Sequence, residues 1–200
     1  ESIIIAILVS IWSLRLGIFL FYRILRTGKD DRFSEIKNSF YPFLTFWFVS
    51  STWVCLTAAP AIAVLNSEIK NIDNYFIYLG MIIWLFGFLF EVIADMQKLS
   101  FKNNSDNKDK FITHGLWSIS RHPNYFGEII LWIGISVICI PLLSGWQYIS
   151  LTSPLFVYLV LTSVSGINIL EKRADQKWSK LESYQKYKKD TNELIPKFWH

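Results

Sequence analysis

Two hundred residues, 52% hydrophobic and 17% aromatic with only 18% charged, are too apolar for a water-soluble domain and suit a polytopic membrane protein. The net charge of +4 is spread over three basic segments that flank apolar stretches, which argues against a nucleic-acid interface. Cys55 and Cys139 both fall inside apolar stretches, so neither a disulfide framework nor a CxxC metal or redox site is supported, and no metal site is expected.

Five segments are long enough to cross a bilayer core, which takes about twenty helical residues. They run Ile3–Leu25, Phe40–Leu65, Tyr75–Ala94, Tyr125–Leu143 and Trp146–Leu170. Pro42, Pro60, Pro141 and Pro154 lie near their ends or kink them, which membrane helices tolerate. The expected fold is all-α: a polytopic membrane helical bundle of about five transmembrane helices, followed by a cytosolic amphipathic C-terminal helix. Residues 1–200 read as one membrane-embedded domain that opens on Glu1 and lacks further N-terminal helices. The first segment is not a signal peptide, because Arg15 interrupts it and no small-residue cleavage site follows.

Lys and Arg alternate along the chain: five from Arg23 to Lys37, one between Asn66 and Asn74, five from Lys98 to Arg121, none in Leu143–Gly145, and eight after Leu170. The positive-inside rule then predicts an outside N-terminus and a cytosolic C-terminus, in a bacterial inner membrane or, for a eukaryote, the endoplasmic reticulum. Such a basic face would also attract anionic membrane lipid.

Ionisable groups within or beside a membrane span are costly and therefore informative. Arg15 lies mid-segment, where it needs an acidic or phosphate partner, or a buried ion pair between helices. Glu91 and Asp95 are four apart and share a helical face at the end of the third segment, where the helix dipole does not favour them. Asp95 is a candidate ligand contact. The polar stretch Asn103–Asp109 reads as a flexible excursion, and His114 as a solvated turn residue.

The densest cluster is S-R-H-P-N-Y-F-G-E, from Ser120 to Glu128. Pro123 suits the first turn of a helix, which puts Asn124 and Glu128 on one face and Arg121 and His122 just ahead of it. A helix start with two cationic side chains is a natural anion site, so Arg121 and His122 are candidates for cofactor phosphate. In the tail, Trp178, Leu181, Tyr184 and Tyr187 recur every three residues and make one greasy helical face. That helix either lies at the interface or folds back so that Arg173 and the tyrosines close a cofactor pocket, with Arg173 on phosphate. No GxGxxG, Walker or Ser-His-Asp pattern occurs, so any nucleotide is held by helix ends and side chains.

These residues resemble the steroid 5-alpha-reductase family, and within it a largely bacterial branch of unknown function. The likeness runs through Trp12-Ser-Leu-Arg15, Gly28 to Phe33, Glu91-Val-Ile-Ala-Asp95, and Gly115 to Glu128 with Trp132 and Gly134. It continues through Gly166, Leu170-Glu-Lys-Arg173, Tyr184-Gln-Lys-Tyr187, Thr191 and Ile195-Pro196. The resemblance implies a multi-pass reductase that holds NADPH in a cavity open to the cytosol and reduces a carbon–carbon double bond of a lipid. It implies that Asn124 and Glu128 match an N-x-x-G-E element beside the nicotinamide and act as catalytic residues. It also implies that Asp95 and Tyr187 belong to the cofactor pocket. Two departures stand out: sterol reductases carry an aromatic hydroxyl near Trp12, where this chain has an indole, and their carboxylate partner lies on an earlier helix. The proton donor is therefore unassigned.

The rival likeness is to isoprenylcysteine and phospholipid methyltransferases, which also show an R-H-P-x-Y block and a Tyr-rich tail. That reading puts S-adenosylmethionine at the same helix start. A third reading is a non-catalytic membrane protein, with Arg15, Asp95 and Glu128 as structural ion pairs. In either enzymatic reading the partner is a hydrophobic small molecule or lipid, because walls of Trp, Phe and Ile accept a sterol, a polyprenyl chain or a fatty enone alike.

Overall fold

A chain that must satisfy its backbone without water can do so only inside helices, and the apolar runs fold accordingly. The computed structural model describes residues 2–27, 39–65, 74–164 and 166–197, and among them there are helices and turns but no strand. The helices are α1 (Ser2–Thr27), α2 (Phe40–Thr57), α3 (Ala59–Ala63), α4 (Asn74–Asn103), α5 (Pro123–Cys139), α6 (Ser153–Leu159), α7 (Ile167–Trp178) and α8 (Glu182–Asp190). The expected all-α membrane architecture is what forms. The loops around Gly28–Lys37 and Asn66–Asp73, including Lys29 and Lys70, lie outside the described residues.

Four stretches among the described residues are helical, long and apolar enough to span: Ser2–Leu25, Tyr75–Asn103, Pro123–Leu142 and Gly145–Trp178. The expected second span, Phe40–Leu65, is divided instead. Its helix stops at Ala58, and α3 restarts with Pro60 in its first turn. A proline ring excludes the carbonyl four residues earlier from the helical ladder, and a helix start is where its missing N–H costs nothing. The last segment is also not one uniform helix. It opens as a 3-10 run at Gly145–Thr152, continues as α6, and widens to a π-turn at Val160–Val164 before α7. Side chains that bond back to the backbone produce these departures: Ser150 Oγ donates to Gln147 O at 2.7 Å and Thr162 Oγ1 to Tyr158 O at 2.8 Å.

The residues form two compact units, residues 1–73 with 139–153 and residues 74–138 with 154–200. In the first, α3 is the hub. Ser2 Oγ donates to Val64 O at 3.2 Å, Gln147 Nε2 donates to Ala63 O at 3.1 Å, and Ser153 Oγ donates to Thr57 O. These bonds satisfy carbonyls that the break at Ala58 and the end of α3 leave without a helical donor. Arg15 of α1 is half-buried, with its guanidinium 5.7 Å from the centre of the Phe19 ring.

In the second unit α4 and α5 meet backbone to backbone. Gly80 and Gly87 of α4 lie against Gly134 and Gly127 of α5, so that each helix seats its glycines on the other's main chain. Small residues at membrane helix contacts allow this approach, and dispersion replaces the hydrophobic effect as the source of attraction. The pairing holds the start of α5 beside the charged end of α4, where the polar groups of this unit collect.

Candidate functional site

The site is assembled on the start of α5. His122 O accepts from Tyr125 N at 3.1 Å and from Phe126 N at 3.2 Å, which closes the first turn behind Pro123. Just upstream, Gly115 has φ +64°, a conformation that places its Cα against the Gln97 side chain and lets Leu116 N donate to Gln97 Oε1 at 2.9 Å. Trp117 is then buried with Nε1 donating to Ala94 O at 3.0 Å, which ties this turn to α4.

The C-terminal tail folds back over these residues, the second of the two arrangements expected for it. Arg121 N donates to Asn192 O at 2.9 Å and Lys197 N to Ile119 O at 2.9 Å. Ser120 Oγ donates to Leu194 O at 2.8 Å, and Tyr187 Oη donates to Trp117 O at 2.6 Å. The single greasy helix expected over Trp178, Leu181, Tyr184 and Tyr187 is broken: α7 ends at Trp178, α8 starts at Glu182, and Leu181 between them is exposed, while Tyr184 is 4% exposed and its hydroxyl donates to Asp175 Oδ1 at 2.9 Å.

Charge is organised around Glu171 of α7. Its Oε1 lies 2.9 Å from His122 Nε2, and its Oε2 lies 3.3 Å from Arg121 and 3.2 Å from Lys188. Arg121 also donates to Lys188 O at 2.8 Å and pairs with Glu193 at 3.2 Å. Lys188 reaches Asp175 at 2.7 Å. A carboxylate facing Nε2 selects the tautomer with hydrogen on that nitrogen. Burial pushes the His122 pKa below its ordinary value, and this outweighs the upward pull of the Glu171 hydrogen bond and charge. Burial likewise raises the Tyr187 hydroxyl above the usual tyrosine value.

The His122 shift carries a stability prediction. The unfolded imidazole takes a proton near 6.5, and the folded one does so only at lower pH. The unfolded state therefore binds more protons in that interval, and stability is lost as pH falls from 6.5 toward the folded value. Arg121 and Lys98 add to the resistance of the folded ring, and Glu171 opposes it. Melting in detergent between about pH 7.5 and about pH 5.5, a range that brackets the histidine value, should show a larger fall for the parent than for His122→Gln. Equal falls would place the acid sensitivity elsewhere.

These elements enclose a cavity of about 360 Å³, near the lower end of ligand cavities. Lys98, Lys102, Lys110, Arg121, Arg173 and Lys177 line it against one carboxylate, Glu171. Aromatic rings form much of the remaining wall: Phe111 sits 5.6 Å from Trp178, 5.2 Å from Tyr184 and 5.6 Å from Tyr187 by ring centres. Lys98 Nζ lies 4.4 Å over the Trp117 ring.

Four of the residues singled out from sequence, Arg121, His122, Arg173 and Tyr187, line this one cavity. Arg173 is exposed and makes no ion pair or hydrogen bond among the described residues, unlike Arg121. Asp95 is buried on α4, and Asn124 and Glu128 are half-buried on α5; none of the three is part of the cavity wall. Asn103–Asp109, expected as a flexible excursion, contains a 3-10 turn at Ser105–Asn107: Asn104 Oδ1 accepts from Asp106 N at 2.9 Å and Asn107 Nδ2 donates to Phe101 O at 3.0 Å. His114 is exposed, as expected, and its ring lies 5.7 Å from that of Phe101.

Glu171 is the residue that sequence reasoning passed over. Its signal was present: Glu171 and Asp175 are four apart on a helix that directly follows an apolar run. Phe111 and Trp117 carried no such signal, because each lies in a short irregular or 3-10 segment without a period.

A protein family described as "Protein of unknown function (DUF1295)" matches residues 1–191. Among curated proteins, the chain is 33% identical over 82 residues to the probable O-methyltransferase ustE of Ustilaginoidea virens, covering 41% of this chain and 29% of that protein. It is 28% identical over 118 residues to the steroid 5-alpha-reductase DET2 of Gossypium hirsutum, covering 58% of this chain and 40% of that protein. The chain thus spans less than half the length of either relative. No solved structure matches it. Both expected kinships, to reductases and to methyltransferases, are found.

Proposed function

The chain belongs to the DUF1295 family, and from its likeness to a steroid 5-alpha-reductase we propose that it is a membrane oxidoreductase that uses NADPH to reduce an activated carbon–carbon double bond of a lipid or steroid-like substrate. The observation that carries this reading is the charge of the cavity, six cationic side chains against one carboxylate. Such a lining complements a ligand with several phosphates. S-adenosylmethionine has a cationic sulfonium and no phosphate, so the same lining disfavours it. The methyltransferase reading keeps two supports, the match to ustE and a cavity small enough for a single nucleoside. The charge of the lining supports the reductase reading.

The charge of the lining suits the phosphates of a dinucleotide. Arg173 and Lys102 would take phosphate oxygens, while the half-buried Phe111 ring would shield them from water. Arg121 and His122 would bring the helix start and its dipole to the same phosphates. NADPH, when bound, would supply a hydride to the electron-poor end of the double bond. Asn124 and Glu128, one turn apart on α5, would orient the ring and the acceptor, and Glu128 would donate a hydrogen bond or relay a proton. The alternation of Lys and Arg supports a cytosolic cavity and C-terminus, with the N-terminus outside.

Binding is the first test. A ligand that binds only the folded state raises the melting temperature, so NADPH should do so in detergent and S-adenosylmethionine should not. The converse result would exchange the two readings. Arg173→Ala should weaken NADPH binding roughly ten- to hundredfold, the loss of one charge-assisted contact, with the melting temperature of the unliganded protein unchanged. Unaltered affinity would remove Arg173 from the phosphate site.

Glu128→Gln tests the chemistry. With a competent enone, turnover should fall at least about tenfold while NADPH affinity holds, since the amide keeps shape and hydrogen bonding but cannot deliver a proton. Undiminished turnover would leave Glu128 a structural residue.

A further inference from the structure

One wall of the cavity is not helical. Lys110, Phe111 and Ile112 reach it from an irregular stretch, Lys108–Thr113, between the 3-10 turns at Ser105–Asn107 and Gly115–Ser118. Asp109 pins this stretch to the end of α7. Lys177 Nζ lies 2.6 Å from Asp109 Oδ1, with both side chains largely exposed, and Trp178 Nε1 donates to Asp109 O at 2.6 Å. Asp109 has φ +67°, in the left-handed region that few residues other than Gly, Asn and Asp adopt. Past it, the Phe111 ring rests among Trp178, Tyr184 and Tyr187.

An exposed ion pair contributes little in water and less in salt. Beyond that pair, the segment is held by one exposed indole bond, the Lys110 N to Asn107 O turn bond, the Phe111 ring and the buried Ile112, and without a helical ladder it opens more readily than a packed helix. Charge gives the motion a direction. Lys110 adds a cation to a cavity that also holds Lys98, Lys102, Arg121, Arg173 and Lys177. Like charges around so small a space repel, and an anion inside reverses the sign of that force.

We propose that Lys108–Phe111 is an anion-gated lid, in which Lys110 binds phosphate of the ligand and Phe111 seals the mouth of the cavity. This rests on the cavity being the NADPH site, and it adds Lys110 as a binding residue and the lid as the step that controls entry and release. Lys177 and Trp178, which line the cavity themselves, also set how often the lid opens through their bonds to Asp109.

Amide hydrogen exchange of the full chain in detergent reads the lid directly, with NADPH and inorganic pyrophosphate as probes. Without ligand, amides of 108–112 should exchange at least about tenfold faster than those of α5, and saturating NADPH should slow them by at least about tenfold. Pyrophosphate should produce part of that slowing in the parent and none in Lys110→Ala. Asp109→Asn, which breaks the ion pair, keeps every cation of the cavity and tolerates the left-handed backbone, should speed both exchange in the unliganded protein and NADPH release. Exchange at 108–112 as slow as in α5 before any ligand is added would overturn the lid. So would protection by NADPH confined to the Arg121–His122 segment, which leaves the cofactor site standing without a lid. Absence of NADPH protection anywhere in the cavity would overturn the site and the lid together.

Discussion

Glu171→Ala is expected to destabilise the protein by roughly 3–5 kcal/mol, because it removes the one carboxylate shared by three cationic or donor groups and strands them in a poorly hydrated site. The side chains of Arg121 and Glu171 are only 10% and 15% exposed, so water screens the cluster weakly. At the sensitivity usual for chains of this length, the melting temperature should fall by about 6–20 °C. Glu171→Gln should fall between, because its amide oxygen still accepts from His122 Nε2 but the charge opposite Arg121 and Lys188 is gone. The tail should loosen with it, since Arg121 and Lys188 join α7 to Lys188–Glu193 through this carboxylate. Limited proteolysis after Glu182 measures that loosening. A melting curve and a cleavage rate that match the parent would mean that water already satisfies the cluster.

Gly127→Val should prevent the second unit from folding. A Cβ at Gly127 would lie 2.6 Å from Glu91 N and 2.7 Å from Gly87 O, both backbone atoms of α4 that cannot rotate away. Overpacking of this kind costs about 1–3 kcal/mol where side chains can adjust, and more where main chains must part. The substitution should abolish monodisperse, NADPH-binding protein in detergent. Gly17→Val is the matched control, because a Cβ there meets nothing within 4 Å. Gly17 should tolerate the change; comparable damage at both positions would make the cost one of β-branching and not of helix contact.

Much of this protein was legible in its sequence. Long apolar runs in a chain 52% hydrophobic leave a membrane-compatible helix as the only way to satisfy the backbone, whatever the neighbours. The start of α5 was legible for the same local reason, since Pro123 after Arg121-His122 is compatible with a helix start and little else. Arg121 and His122 were expected from the chemistry of a helix start, Arg173 from its place in the tail and Tyr187 from the family likeness, and all four line one cavity.

Tertiary structure decided the rest. Gly80 and Gly87 are seven residues apart, as are Gly127 and Gly134, but spacing alone does not say which glycine faces which across two helices. Glu171 looked like one more charge on a polar helix until the tail brought Lys188 and the start of α5 brought Arg121 and His122 to its two oxygens. Phe111, Trp117 and Asp109 gain their places from residues far along the chain, so no local period announces them. Helix formation answers to neighbours within a turn or two, and the sequence by itself determines it. A cavity and its charge are sums over segments that meet only after folding, and these only the tertiary structure determines.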